Sequence, residues 1–163
     1  MKRVNCLSSY LSSAPAAPCL HYDAGDTVVC RAKGRARNTF PLLCEVSVIA
    51  LETDGELYRF PPDTTKDVCD WCVFTEVGLR GWFVELKGSR YEHAVDQLMS
   101  TMSHMQTSYG VDPKCAIAVL SGSHPSNARP GKANAKVKFA RRFPATILCE
   151  RSSGKPRPED IVR

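Results

Sequence analysis

The sequence predicts an α/β fold with a mixed central β-sheet flanked by helices. Three observations predict its α/β character. Short runs rich in β-branched and aromatic residues are separated by Gly, Pro, Asn and Asp. One clear amphipathic helix stands among them. After it, residues 115–120 form a near-continuous apolar run, as in a strand buried on both faces. The 163 residues suit a single domain spanning 1–163. Hydrophobic residues at 43% and charged residues at 24% exclude a largely disordered chain. No apolar stretch approaches the ~18 residues of a membrane-spanning helix.

In chain order, residues 1–26 lack periodicity and hold Pro15, Pro18 and Gly25, predicting a loose or partly helical lead-in. Residues 27–32 read as a short strand and 33–37 as a basic turn. Residues 42–51 fit helical spacing at 42, 43, 46, 49 and 50, but Val46, Val48 and Ile49 favour a strand. Asp54-Gly55 then makes a hairpin turn before 56–60, which tips the reading to a strand pair. Residues 69–75 and 82–87 are two further strands around the turn Val77-Gly78-Leu79-Arg80-Gly81.

Ser89 and Glu92 form a capping box that opens the helix. Its stripe is Tyr91, Ala94, Val95, Leu98, Met102 and Met105, and Gly110 should stop it. Residues 121–135 read as a loop, 136–143 as a basic segment and 145–149 as a last strand.

The net charge of +5 is unevenly spread. Residues 1–43 carry +4, residues 44–112 carry −7 and residues 113–163 carry +8. Acidic clusters suit divalent cations and basic surfaces suit polyanions. Met1-Lys2-Arg3 is followed by a segment too polar and proline-broken for a signal peptide, so a cytoplasmic protein is expected. Most of the eight cysteines sit in apolar runs, which favours buried thiols over disulfides. Cys69 and Cys72 form the one CxxC, but zinc needs two more ligands at comparable spacing. On a strand the two would also project to opposite faces.

Asp70, Glu85 and Lys87 carry the chemistry. On a strand, Glu85 and Lys87 share one face while Trp82, Val84 and Leu86 share the other. If the preceding strand pairs antiparallel, Asp70 lies beside Glu85. Two carboxylates near an ammonium suit Mg²⁺, which takes oxygen ligands and keeps several waters.

The order Val68-Cys69-Asp70-Trp71, then Phe83-Val84-Glu85-Leu86-Lys87-Gly88, then Ala94-Val95-Asp96-Gln97-Leu98 resembles the PD-(D/E)XK nuclease superfamily over roughly residues 44–121. The resemblance implies a restriction-endonuclease-like core, in which Asp70, Glu85 and the Leu86 carbonyl bind Mg²⁺, with Mn²⁺ as a substitute, and Lys87 is the catalytic lysine. It also places Gln97 where many members carry a glutamine on the following helix. In the exonuclease-like subgroup a Tyr follows four residues later; Thr101 stands there in this chain. Glu45 is a candidate for a further acidic residue, and His93 lies one turn before Gln97. The late cysteines are only Cys115 and Cys149, so the iron–sulfur variant of the family does not fit.

From Pro113 to Cys149 there is no Asp or Glu and there are seven Lys/Arg. Arg129, Lys132, Lys136, Lys138, Arg141 and Arg142, interleaved with Phe139 and Phe143, form an expected phosphate-binding segment within the basic C-terminal part 129–163. The expectation is therefore a Mg²⁺-dependent deoxyribonuclease. Its partner is nucleic acid, DNA ahead of RNA, with no membrane; a homodimer is allowed. The alternatives are a catalytically inactive nucleic-acid-binding or assembly module of the same fold, and a cysteine-based metal or redox protein.

Overall fold

A computed structural model of the chain describes residues 2–4, 19–32, 39–53, 68–87, 90–120, 130–152 and 157–163. The elements are β1 (Lys2–Val4), β2 (Cys19–Tyr22), β3 (Thr27–Arg31), β4 (Thr39–Cys44), β5 (Val48–Glu52), β6 (Trp71–Thr75) and β7 (Arg80–Lys87). They continue with α1 (Tyr91–Tyr109), β8 (Asp112–Leu120), α2 (Pro130–Arg142), β9 (Ile147–Ser152) and β10 (Ile161–Val162), with a 3-10 turn at Pro158–Asp160 before the last strand.

The fold is α/β with a mixed central sheet, in the order β1-β2-β5-β6-β7-β8-β9. β6 runs antiparallel to both of its neighbours, β5 and β7; β7, β8 and β9 run parallel. The parallel pairs need crossovers, and α1 and α2 supply them. A second sheet, β10-β4-β3, is separate.

The helices do not flank the central sheet on both faces. α1 and α2 cover one face, where Phe83, Leu98, Met102, Ala116, Ala118 and Phe139 pack together. The small sheet covers the other, with Val28, Phe40 and Leu42 against Val73, Trp82, Val84 and Ile117. Central strands are therefore buried throughout, as β6 is at every residue. Each fully buried Leu, Phe or Met contributes about 1.5–3 kcal/mol by leaving water.

Several sequence expectations change. The lead-in contributes two strands, β1 and β2. Residues 42–51 hold the end of one strand and most of another, broken at 45–47 where the chain passes from the small sheet to the large one. Two-sided burial of β5 explains why its apolar residues also fitted a helix. The basic segment is a helix that starts within the expected loop. Arg90 occupies the N-cap of α1 and makes no side-chain capping bond, while Gly110 ends the helix at φ +69° as expected. The basic turn 33–37, the Asp54-Gly55 hairpin and Ser89 lie outside the described residues.

Cys30, Cys44, Cys69, Cys72, Cys115 and Cys149 are free and buried. Among the described residues no helix is long and apolar enough to cross a membrane.

Candidate functional site

The β6–β7 hairpin turns at Gly78 and Leu79, both at positive φ. Its register pairs Trp71 with Val84, which brings Asp70, just before β6, level with Glu85 near the end of β7. Alternation puts Phe83 and Glu85 on the helix-covered face. Glu85 therefore lies under α1 and α2 rather than on a solvent face, and it is completely buried.

The two carboxylates hold each other by their backbones. The Asp70 N–H donates to Glu85 Oε2 at 3.0 Å, and the Leu86 N–H donates to Asp70 Oδ2 at 2.7 Å. The Lys87 ammonium lies 2.9 Å from Glu85 Oε1 as an ion pair. Lys87 is the more accessible partner, its side chain 29% exposed against 0% for Glu85. Burial, reinforced by the Asp70 charge, pushes the Glu85 carboxyl up from 4.5 to about 8; the Lys87 ion pair and the Asp70 N–H act the other way. A raised acid in a polar cluster is the setting in which functional carboxylates are found.

Gln97 reaches the same segment from α1. Its Nε2 donates to the Val68 carbonyl at 2.8 Å, and its Oε1 is buried with no hydrogen-bond partner among the described residues. Glu45 stands elsewhere. It is exposed in the turn before β5, whose first residue pairs with Thr75 at the far end of β6 from Asp70. His93 is half-buried on α1.

Cys69 and Cys72 do not point to opposite faces. Both pack in the core under the helices, because Cys69 precedes β6 and strand alternation does not reach it. Burial and the neighbouring Cys69 raise the Cys72 thiol well above its ordinary value. Among the described residues no group of three or more His, Cys, Asp or Glu converges, so a four-ligand zinc site has no support there. Two carboxylates and a main-chain carbonyl are a different donor set. They suit a hard cation that takes one or two carboxylates and fills its remaining positions with water. By donor type, Asp70, Glu85 and the Leu86 carbonyl are the groups that could hold such a cation; both Glu85 oxygens already have partners, the Asp70 N–H and the Lys87 ammonium.

The basic residues are placed differently from one another. Lys132 lies 2.6 Å from Glu150 Oε2 and donates to Oε1 at 2.9 Å, with its ammonium 5.3 Å above the Tyr91 ring. Lys138 bonds Asp96 of α1 at 2.8 Å, and Arg142 bonds the Ser103 hydroxyl at 3.2 Å. These three fasten α2 to α1 and β9. Lys136 and Arg141 are exposed on α2, and Arg129 lies outside the described residues.

Sequence reasoning missed Glu150. The registers Glu85↔Ala118 and Ala118↔Glu150 put it in one row with Glu85, two strands and thus about 10 Å away. Tyr91 belongs to the same end of the fold. Its hydroxyl is buried with no hydrogen-bond partner among the described residues, and burial beside Glu150 and Glu92 pushes its acidity down. Thr53 and Thr101 were missed as well, though both bond the segment that leads into Asp70. The sequence marks Tyr91 only as part of the helix stripe and Thr101 only as the residue four after Gln97; strand register and helix packing bring them together with Glu150 and Thr53.

A scan against protein-family models, a search of curated proteins and a search of solved structures each return no match.

Proposed function

We propose that the chain is a Mg²⁺-dependent nuclease that hydrolyses phosphodiester bonds of DNA, with a restriction-endonuclease-like core. The observation that carries the reading is the pair of bonds that gathers the two carboxylates, Asp70 N–H to Glu85 and Leu86 N–H to Asp70, with Lys87 on the remaining Glu85 oxygen. An acid before one strand, Glu-X-Lys at the end of its antiparallel neighbour and a helix packed over both follow the pattern of the PD-(D/E)XK superfamily.

Asp70, Glu85 and the Leu86 carbonyl would hold the cation. When bound, Mg²⁺ polarises a phosphodiester and lowers the pKa of a water. Lys87, the exposed end of the cluster, orients the attacking water and offsets negative charge that grows on the phosphate in the transition state. The water oxygen forms a bond to phosphorus as the P–O bond to the leaving oxygen breaks, and the water's proton ends on that leaving group or in solvent. A cation held there would have to displace the Glu85 proton or the Lys87 contact.

Incubation with labelled single- and double-stranded DNA and RNA, in Mg²⁺, Mn²⁺ or EDTA, tests the reading. Cleavage of DNA in either metal and none in EDTA is expected. Glu85→Ala and Lys87→Ala should each abolish cleavage while leaving the fold intact. Full activity in either purified variant would refute this site. Retention of DNA with no metal-dependent degradation would instead establish the non-catalytic binding module.

A further inference from the structure

Residues 68–70 run between β5 and β6 outside any strand ladder, with Val68 half-buried and Cys69 and Asp70 buried, and both main-chain groups of Cys69 and Asp70 have partners. Gln97 Nε2 donates to the Val68 carbonyl at 2.8 Å. The Cys69 N–H donates to Thr101 Oγ1 at 2.9 Å, and the Thr53 hydroxyl donates to the Cys69 carbonyl. The Asp70 carbonyl accepts from the Thr53 N–H at 2.9 Å, and the Asp70 N–H donates to Glu85 Oε2. Buried backbone polar groups need partners, and side chains supply them here where a ladder cannot.

We propose that Thr101 and Thr53 are positioning residues for Asp70. They clamp the preceding backbone so that the Asp70 carboxylate stays over the Leu86 N–H and beside Glu85. For its functional consequence this rests on the reading of Asp70 and Glu85 as cation ligands. Thr101 is built to span. Its hydroxyl donates to the Gln97 carbonyl one turn back at 2.9 Å, which leaves the oxygen lone pairs aimed at Cys69. Thr101 is completely buried and Thr53 is 2% exposed, so water cannot replace either hydroxyl without rearrangement. The two come from opposite sides of the segment, one from α1 and one from the end of β5, and grip the same residue, Cys69.

Ordinary satisfaction of buried backbone predicts that loss of a threonine hydroxyl disturbs Cys69 and overall stability. Positioning predicts that the disturbance reaches the carboxylates. Amide hydrogen exchange by NMR on the full chain, free of metal, separates them, because the Asp70 and Leu86 amides each donate to one of the two carboxylates. In Thr101→Val, exchange at Asp70 and Leu86 should accelerate about tenfold or more, while Ile117 in β8 keeps its rate. Thr101→Ser, which keeps the hydroxyl, should stay within about twofold of the parent. Acceleration at Cys69 alone, or an equal acceleration at Ile117, would overturn the proposal. Thr53→Val carries the same prediction and decides the matter if Thr101→Val does not fold. Titration of the same proteins with Mn²⁺ then separates the two ideas. Weaker Mn²⁺ binding in the valine variants supports both. A parent that binds no Mn²⁺ counts against the cation reading, while the amide rates still decide the clamp.

Discussion

Replacing Glu85 with Gln removes one titrating proton and almost no volume, and its effect on stability can be worked from the site. In the folded chain the Glu85 carboxyl titrates at about 8 against an ordinary 4.5, chiefly because it is buried and beside Asp70. Between those values the folded state holds a proton that the unfolded state has released. Metal-free stability should therefore fall as pH rises from about 4.5 to about 8, by up to about 1.4 kcal/mol per pH unit from this group. Glu85→Gln cannot titrate there, so its stability should lack that contribution. Burial lowers the His104 pKa, which acts with the opposite sign, but it is present in both proteins and cancels in the difference. Urea unfolding in EDTA at pH 5, 6, 7 and 8 reads the two slopes. The parent should lose its advantage over, or fall below, Glu85→Gln as pH rises. Parallel curves across the four pH values would refute the assignment of a raised carboxyl to Glu85.

Three further outcomes concern the frame around the site. Arg151 forms a two-bond pair with Asp160, which is completely buried; Arg151→Met should cost about 3–5 kcal/mol in thermal or urea unfolding by leaving that carboxylate uncompensated. Lys132→Met removes the ammonium that bridges both Glu150 oxygens; a loss of about 1–3 kcal/mol is expected in the same assay. Gly81→Ala would place a Cβ 2.8 Å from both Phe83 Cε2 and Val111 Cγ1. Overpacking of about 1–3 kcal/mol should follow, seen as a lower urea midpoint.

The alternation that placed Glu85 and Lys87 together was legible because β-strands have a fixed period of two, and the fifteen-residue separation from Asp70 fits a tight hairpin. α1 was legible from its stripe and from Gly110. Burial of Glu85 was not. A period-two pattern identifies a face but says nothing of what covers it, and here α1 and α2 lie over the face that a hairpin alone would leave wet. β1 and β2 were missed because three or four residues carry too little periodicity to be read. The basic run from 132 to 142 looked like one phosphate-binding surface because partners distant in sequence are invisible. Lys132, Lys138 and Arg142 meet Glu150, Asp96 and Ser103 across 18, 42 and 39 residues. Cys69 was assigned to a strand that begins two residues later, and that small boundary shift reversed the direction of its thiol.

The central claim is that Asp70 and Glu85 together hold one divalent cation. Titration of the purified chain with Mn²⁺ at pH 8, following the free ion by electron paramagnetic resonance, tests it without any assumption about substrate. One saturable site per chain is expected, displaced by excess Mg²⁺ and lost in both Asp70→Asn and Glu85→Gln proteins that remain folded. No saturable binding by the parent, or binding undiminished in the two variants, would contradict it.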